Sequence, residues 1–342
     1  MKNLRFLALI LGAILIFGFA AEKTYDSKSA WKQLYPKIMK QIKAPVINGE
    51  TYNIADYGAV PDDPVFLNHK VINSTIGLCS SKGGGTVMIP EGLWHTGPVV
   101  MKSNVNLHIS EGAVLLFTDD IDQYPTVLTR WEGMDCYNTP PMIYAYEQQN
   151  IAITGKGTID GGSSVKNWWG MRRLTAVPGK ELRGRPLLMD WNEKGTPVEK
   201  RIMGKGDNMR PQLINFYKCK NILIQDVTLT RPAFWTIHPL MCENMTVRGV
   251  TMNTVGAPNG DGCDPESSKN VLIENCFFNT GDDCIAIKSG RNFDGRRWNI
   301  PSENIIVRNC RMQNGHGGVV IGSEISGGYK NLFIEDCEMD SP

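Results

Sequence analysis

Three short motifs place acidic and histidine side chains between glycines in the second half of the chain. They are Asn259-Gly-Asp261-Gly, Gly-Asp282-Asp283-Cys and Gly-His316-Gly-Gly. Carboxyl groups held side by side repel one another, which drives their pKa values apart and suits one to give a proton while another accepts one. Hydrolysis of a glycosidic bond needs that pair, one carboxyl for the leaving oxygen and one for the attacking water. The surrounding glycines leave room for a sugar ring.

A calcium site is the alternative interpretation of these acids, since clustered carboxylates suit a hard cation. The neighbouring histidine argues against calcium, and a site without metal is the prediction. A lone pair of aspartates is weak support for a site. The regular spacing of the three motifs along the chain is stronger support than any one motif. The step from Asp282 to His316 is 34 residues, the same as one of the steps between the repeats described next.

Five segments that share one pattern position these motifs. Each begins with asparagine and continues with apolar residues at alternate positions, which is typical of a strand with one buried face. The fifth position after the asparagine is Asp, Asn or Gly, and these residues tolerate the left-handed backbone of a sharp corner. The segments are 23, 26, 34 and 27 residues apart, and irregular steps around a constant unit indicate a solenoid. They begin at Asn221, Asn244, Asn270, Asn304 and Asn331.

We therefore predict an all-β fold, a right-handed parallel β-helix. A TIM barrel or a doubly wound sheet would need amphipathic helices between the strands, and the repeats lack them. One helix is predicted before the repeats, over residues 66–81. Its apolar residues, among them Ile72, Ile76 and Leu78, have helical spacing, and it would cap the N-terminal end of the solenoid. Residues 161–211 lose the periodicity and are predicted to form a long excursion beside the cleft.

The cysteines are interpreted as core residues. The sixth position after the repeated asparagine is Val or Cys in each segment, which indicates a small buried apolar slot. Cys276, Cys310 and Cys337 are therefore expected to be stacked thiols. Cys263 and Cys284 lie beside the acidic motifs, and the sequence leaves open whether they form a disulfide. The repeated asparagine itself is expected to hydrogen-bond the backbone of the next rung and so form a ladder.

The first residues of the chain predict export. Two basic side chains precede an uncharged apolar run, Phe6 to Ala20, that ends in small residues, as in a secretory signal peptide. The run is shorter than the ~20 residues of a membrane-spanning helix. We predict a signal peptide over residues 1–21, an N-terminal extension over 22–50 and a β-helix domain over 51–342. The mature protein would be secreted or periplasmic and off the membrane, and a net charge of +1 argues against nucleic-acid binding.

At its acidic motifs the chain closely resembles glycoside hydrolase family 28, the polygalacturonase family. The segments at Asp261, Asp282 and His316 match three of the four signature motifs of that family in order. Tyr57-Gly-Ala-Val and Gly155-Lys-Gly-Thr-Ile-Asp-Gly resemble its N-terminal half. The resemblance implies inverting hydrolysis, without a cofactor, of galacturonic-acid-containing pectic polysaccharide or oligogalacturonide. A monomer is expected.

The resemblance also implies a role for each site residue. Asp282 would be the general acid, and His316 would tune or orient it. Asp261 and Asp283 would activate the attacking water. No metal takes part in this scheme.

Two further residues, Asn259 and Lys288, match family positions in the cleft and are predicted to bind substrate. The threonine that usually follows that asparagine is Gly260 here. Altered local packing is expected at this position, rather than lost activity.

The fourth motif of the family, Arg-Ile-Lys, grips the substrate carboxylate and would follow the repeat at Asn331. The sequence reaches Pro342 without it. The β-helix domain is therefore expected to be truncated at its C-terminus and weakly active alone. The alternative is that another basic residue, such as Arg291 or Arg297, grips the carboxylate.

Two other functions share parts of this pattern. A pectate lyase would share the β-helix and the substrate, but it would need calcium and a basic residue that abstracts a proton. A non-catalytic carbohydrate-binding solenoid would keep the fold without the three acids, which are all present. The sequence leaves open which pectic polymer is cut and whether action is endo or exo. A wall formed by residues 161–211 would favour exo action.

Overall fold

The computed structural model describes residues 25–173 and 183–340. The predicted signal peptide lies outside the described residues. The described residues divide into two units, with the boundary between Lys37 and Ile38. The first described elements are the helix Ser27–Ser29, the π-helical turn Ala30–Leu34 and the helix Tyr35–Gln41. Among the helices of the described ranges, none has the length and apolar character needed to cross a membrane.

The second unit is a parallel β-helix, which confirms the predicted fold class. Its strands fall into three parallel sheets that the chain visits in turn on each rung. Sheet 1 contains Glu50–Asn53, Gly85–Ile89, Val105–Ile109, Gln149–Gly155, Lys220–Gln225, Glu243–Arg248, Lys269–Glu274, Ser302–Arg308 and Tyr329–Glu335. Sheet 2 contains Gly92–Thr96, Ala113–Phe117, Thr158–Asp160, Thr228–Thr230, Thr251–Asn253, Phe277–Asn279, Arg311–Gln313 and Glu338–Asp340. Sheet 3 contains Val99–Val100, Ile143–Tyr146, Ile214–Tyr217 and Ile237–Leu240, and it continues through bridges to Ile285–Ile287 and Val319–Ile321.

The repeated asparagines form the predicted ladder, but with different partners. The Asn244 amide donates to the Asn221 side-chain oxygen at 2.7 Å, and the Asn221 amide donates to that of Asn150 at 2.9 Å. The expectation of side-chain bonds to the backbone is therefore wrong. Rungs ~4.8 Å apart bring identical amides into register, so amides on neighbouring rungs can bond one another. The corner residues at the fifth position adopt the predicted left-handed backbone, with φ of 63° at Asp226 and 54° at Asn275.

The predicted capping helix is present over His69–Ser81 and begins later than the sequence suggested. It packs against the first strands, and Ile72, Ile76 and Cys79 are fully buried. Leu78, predicted to face the core, is instead 36% exposed. Positions 72, 76 and 79 follow the three- and four-residue spacing of one helix face, whereas position 78 lies off that face.

All nine cysteines are free thiols. Cys263 and Cys284 are buried and unpaired with each other, which answers the question the sequence left open. Cys276 and Cys310 are 3% and 2% exposed, as the core-thiol interpretation predicts. Cys337 occupies the same slot and is only partly buried.

A layer of short elements lies over the outer face of sheet 3. An antiparallel hairpin pairs Val127–Trp131 with Met134–Asn138. The predicted excursion supplies the helix Gly184–Glu193, which contacts both the hairpin and the helix Asn292–Trp298. The hairpin was not predicted. Short 3-10 turns occupy Ile54–Tyr57, Ile121–Gln123, Trp168–Arg173 and Val198–Lys200.

Candidate active site

The acidic motifs lie where consecutive rungs enter sheet 3. A bridge joins Cys263 to Ile285, and Ile285 pairs with Val319. Asp261 and Asp283 each stand two positions before one of these paired residues. They therefore lie at the same height on neighbouring rungs, about one strand spacing of ~4.8 Å apart.

Asp282 and His316 form a second row, one position earlier on their rungs. The His316 backbone N–H donates to the Asp282 carbonyl oxygen at 3.2 Å. The predicted stacking of these two residues on successive rungs is confirmed. Asp261 falls on the rung before them, also as predicted.

The three carboxyl groups form one cluster at the edge of the sheet. Each offers an oxygen, and these oxygens lie within 4.8 Å of one another. Asp261 is buried, whereas the side chain of Asp282 is 20% exposed and that of His316 is 69% exposed. His316 Nδ1 lies 3.0 Å from Asp282 Oδ1. The imidazole therefore faces the open side of the cluster, and Asp261 forms its floor.

Burial gives these acids a protonation behaviour unlike that of ordinary aspartates. Burial raises the pKa of Asp261 to about 8; Lys288 opposes this rise, and Asp282 and Asp283 add to it. Burial, followed by the charge of Asp282, also raises the pKa of Asp283. Coupled carboxyls lose their protons as a group. Asp261 therefore retains its proton near neutral pH, and it can accept one from water only after that proton has left it or moved to a neighbouring carboxyl of the cluster.

Lys288, predicted to bind substrate, lies within the site but is only 3% exposed. Its ammonium is 3.0 Å from Glu324 Oε2 and 3.8 Å from Asp261 Oδ2. It also lies 4.4 Å from the ring centre of Trp235. Neither Glu324 nor Trp235 was predicted from the sequence. One signal in the sequence could have indicated Glu324. Lys288 follows the strand Ile285–Ile287, and the oppositely charged Glu324 follows the neighbouring strand Val319–Ile321.

Asn259, the other predicted substrate-binding residue, is half-buried at the edge of the cluster. Its Oδ1 accepts a 2.7 Å hydrogen bond from Arg210, which also donates to the carbonyls of Ala233 and Pro258 at 2.7 Å. Burial, and then the charge of Arg172, lowers the pKa of Arg210 to about 10. Arg210 therefore fixes the turn before the acids and orients the asparagine.

Stacked aromatic rings separate the acids from the N-terminal part of the sheet. The ring of Trp131, in the hairpin, lies 4.8 Å from that of Phe234, which lies 4.9 Å from that of Trp235. Trp235 stands at the height of Asp261 on the preceding rung, because Ile237 pairs with Cys263. The hairpin layer thus reaches the rung before the acids, and at its tip the Gly133 carbonyl accepts a 2.9 Å hydrogen bond from the Arg291 backbone N–H on the rung of Asp282.

Comparison with known proteins identifies the family. Residues 79–341 match the family described as glycosyl hydrolases family 28. The chain belongs to that family. An exo-poly-α-D-galacturonosidase of Dickeya chrysanthemi is 29% identical over 309 residues, which cover 83% of this chain and 49% of that protein.

Solved exopolygalacturonase structures share the fold. The hyperthermoactive exopolygalacturonase of Thermotoga maritima is 39% identical, with a TM-score of 0.83 over 90% of this chain and 70% of that one. The family 28 exopolygalacturonase of Yersinia enterocolitica is 26% identical, with a TM-score of 0.64 over 86% of this chain and 56% of that one. The chain spans about half the length of the curated relatives it matches.

Gly260, the departure from the usual family threonine, sits in a tight turn. A Cβ at this position would lie 2.7 Å from the Ala257 Cβ and 2.9 Å from its carbonyl oxygen. The Gly260 carbonyl accepts a 2.5 Å hydrogen bond from the Thr254 hydroxyl. A threonine side chain would not fit this turn unless Ala257 moved, so the local packing matches glycine.

The two basic residues named as alternative carboxylate grips are engaged in ion pairs. Arg291 pairs with Glu132 and Glu324. Arg297 pairs with Asp135 at 2.8 Å and also contacts Asp294. Each guanidinium therefore faces protein carboxylates, and a substrate carboxylate would compete with them.

Proposed function

We propose that this chain carries the active site of a glycoside hydrolase that cleaves galacturonic-acid-containing pectic polysaccharide or oligogalacturonide. The observation that carries the proposal is the carboxyl cluster of Asp261, Asp282 and Asp283, with His316 beside it, on consecutive rungs. The relatives support the substrate class, because they are described as an exo-poly-α-D-galacturonosidase and an exopolygalacturonase.

In the proposed reaction, Asp282 is the general acid. It gives its proton to the glycosidic oxygen as the bond from that oxygen to the sugar carbon breaks. Asp261 and Asp283 take a proton from a water whose oxygen forms the new bond to the same carbon. His316 orients Asp282 through their 3.0 Å contact. Acid and base both come from the chain, so the scheme needs neither a cofactor nor a metal.

The proposed stereochemistry is inversion. The distances between the acids bear directly on this choice, because inverting and retaining enzymes space their carboxyls differently. Inverting glycosidases commonly hold their two carboxyls ~6.5–9.5 Å apart and retaining ones ~5–5.5 Å apart. Here the oxygens of the three acids lie within 4.8 Å of one another. Inversion is proposed because two carboxylates, Asp261 and Asp283, lie at one height and can hold a water between them.

The hairpin layer favours exo action. It covers the outer face of sheet 3 up to the rungs that carry the acids, where Arg130 within it forms a fully buried ion pair with Glu266 at 2.9 Å. A long polymer could not continue along the sheet past this layer, so only a chain end would reach Asp282. The relatives described as exo-acting enzymes agree with this geometry.

The proposal extends to the organisation of the protein. Residues 1–21 are a signal peptide, residues 22–50 an extension, and residues 51–342 the β-helix domain; the first strand, Glu50–Asn53, begins one residue before that boundary. The protein acts as a monomer, is secreted or periplasmic, and has no nucleic-acid or membrane partner. Asn259 is the proposed substrate-binding residue beside the acids.

A turnover assay with a chelator tests the proposal. Polygalacturonate and a rhamnogalacturonan fragment are incubated with the protein in excess chelator. New reducing ends are expected on one of them, without an unsaturated product that absorbs in the near ultraviolet. Calcium-dependent formation of an unsaturated product would identify a lyase instead. Binding of the polymers without any new reducing end would identify a carbohydrate-binding solenoid.

A further inference from the structure

The ammonium group of Lys288 is held in a fixed position beneath the acid cluster. It donates to the Gly322 carbonyl oxygen at 3.2 Å and to Glu324 Oε2 at 3.0 Å. The same nitrogen lies 3.8 Å from Asp261 Oδ2 and 4.4 Å from the ring centre of Trp235. An ammonium has three N–H donors and no acceptor. Two of its donors are committed to Glu324 and Gly322, and its charge faces Asp261.

Glu324, which holds the ammonium of Lys288, is itself held by a second ion pair. Glu324 pairs with Arg291 through its other oxygen. Arg291 also donates to the Glu132 carbonyl at 3.1 Å and contacts the Glu132 carboxylate at 3.3 Å, and that carboxylate accepts a 2.7 Å bond from Arg185. Charges thus alternate in sign from the hairpin tip to the acid cluster. This ion chain limits the movement of Lys288.

We propose that Lys288 is a positioning residue whose buried charge keeps Asp261 available as the base of the reaction, with Glu324 as the anchor that holds it there. The inference rests on the proposed function. It replaces direct substrate binding by Lys288, which would require the ammonium to leave Glu324. With 3% of the residue exposed, a sugar carboxylate has little access to that ammonium.

Several charged groups surround Lys288 and Asp261 and influence their pKa values. Lys288 faces Asp261, Asp264 and Glu324, with Asp283 and Arg291 next to them. Burial disfavours the charged ammonium, but Asp264, Glu324 and Asp261 outweigh burial and raise the pKa of Lys288.

Asp264 is a second buried carboxyl that faces the ammonium of Lys288. It is fully buried, and neither of its oxygens has a hydrogen-bond partner among the residues the structure describes. Burial, followed by the charge of Asp261, raises the pKa of Asp264. Around Asp261 itself the other charged groups are Asp282, Asp283 and Arg210. Lys288 is the cation that most lowers the pKa of Asp261.

The sign of the expected effect follows from these neighbours. If Lys288→Met removes the cation, the acid cluster loses the group that favours its ionised form, so its pKa values rise. If Glu324→Gln removes the anion while its amide oxygen still accepts from Lys288, the ammonium acts more fully on Asp261, so the pKa values of the cluster fall. The two variants therefore shift the titration in opposite directions.

The test measures protonation and turnover separately. Aspartate carboxyls labelled with ¹³C are titrated by NMR in the substrate-free protein, with Asp261→Asn used to assign the signal. We expect Lys288→Met to raise the Asp261 midpoint by at least about one pH unit, and Glu324→Gln to lower it. Both limbs of the profile of kcat/KM against pH are expected to move in the same direction as the midpoint, with KM changed less than about threefold.

A matched control comes from sheet 1. Glu274 has a side chain 5% exposed, like that of Glu324, and lies between Arg248 and Arg308 at 2.5 and 2.6 Å. Glu274→Gln is expected to leave the midpoint and the pH profile unchanged.

Two results would overturn the inference. One is an unmoved Asp261 midpoint in both variants. The other is a tenfold or greater rise in KM for Lys288→Met with unmoved pH limbs, which would make Lys288 a substrate contact. A shifted midpoint in a protein without activity on pectic substrates would support the inference and refute the proposed function, so the two failures are distinguishable.

Discussion

Replacing Asp282 with asparagine is expected to lower kcat by about 10²- to 10⁴-fold, the usual contribution of a general acid. An amide fills the volume of the carboxyl but has no proton to give to the leaving oxygen. Asn can still accept the 3.1 Å hydrogen bond from the Asp283 backbone N–H. The fold and the contact with His316 should therefore survive, and KM should change little. Steady-state kinetics on polygalacturonate and circular dichroism measure the two effects.

The same substitution at Asp226 is the control. Asp226 stands at a corner with φ of 63°, and other rungs place asparagine at the equivalent corner, with φ of 54° at Asn275 and 51° at Asn309. Asp226→Asn should therefore leave both activity and stability close to those of the wild type. If Asp282→Asn retains substantial turnover with an unchanged fold, Asp282 is not the acid.

Replacing Arg130 with methionine is expected to lower the free energy of unfolding by about 3–5 kcal/mol, the cost of removing one partner from a buried ion pair. Arg130 is fully buried and bonds Asp135 at 2.7 Å and Glu266 at 2.9 Å. Without the guanidinium, the Glu266 carboxylate keeps only a 2.8 Å hydrogen bond with His238 among the described residues, and burial lowers the pKa of that imidazole, which disfavours a compensating charge. Urea denaturation followed by fluorescence measures the loss.

Two variants make this result interpretable. Lys156→Met removes a partner from an exposed pair in which Lys156 lies 3.7 Å from Glu111, and it should cost less than about 1 kcal/mol. Adding Glu266→Gln to Arg130→Met removes the uncompensated carboxylate and should restore part of the lost stability. Equal losses for the buried and exposed pairs would show that the hairpin layer is not held by Arg130.

The rungs and the placing of the acids could be predicted from the sequence because a solenoid is built from contacts between neighbouring repeats. The corner residues Asp226 and Asn275 signal their own backbone conformation. The equal steps along the chain place Asp282 beside His316 on neighbouring rungs. Local pattern and register are sufficient for this part of the site.

The hairpin layer and the ion chain could not be predicted in the same way. Arg130 and Glu266 are 136 residues apart, and neither lies in a repeat that registers it with the other. The sequence placed Lys288 at the cleft, but its burial depends on Trp235 and Glu324, which come from other rungs. The ladder was predicted with backbone partners because the sequence marks the corner without fixing where each amide points.

The most direct measurement for the whole account is an NMR time course of a defined oligogalacturonide with the protein in excess chelator. We expect hydrolysis from one chain end only. Because an α linkage is cut with inversion, the new reducing end should first carry the β configuration. First formation of the α anomer would contradict inversion. Cleavage at internal linkages would contradict the proposal that the hairpin layer limits the enzyme to chain ends, and an unsaturated sugar would contradict hydrolysis itself.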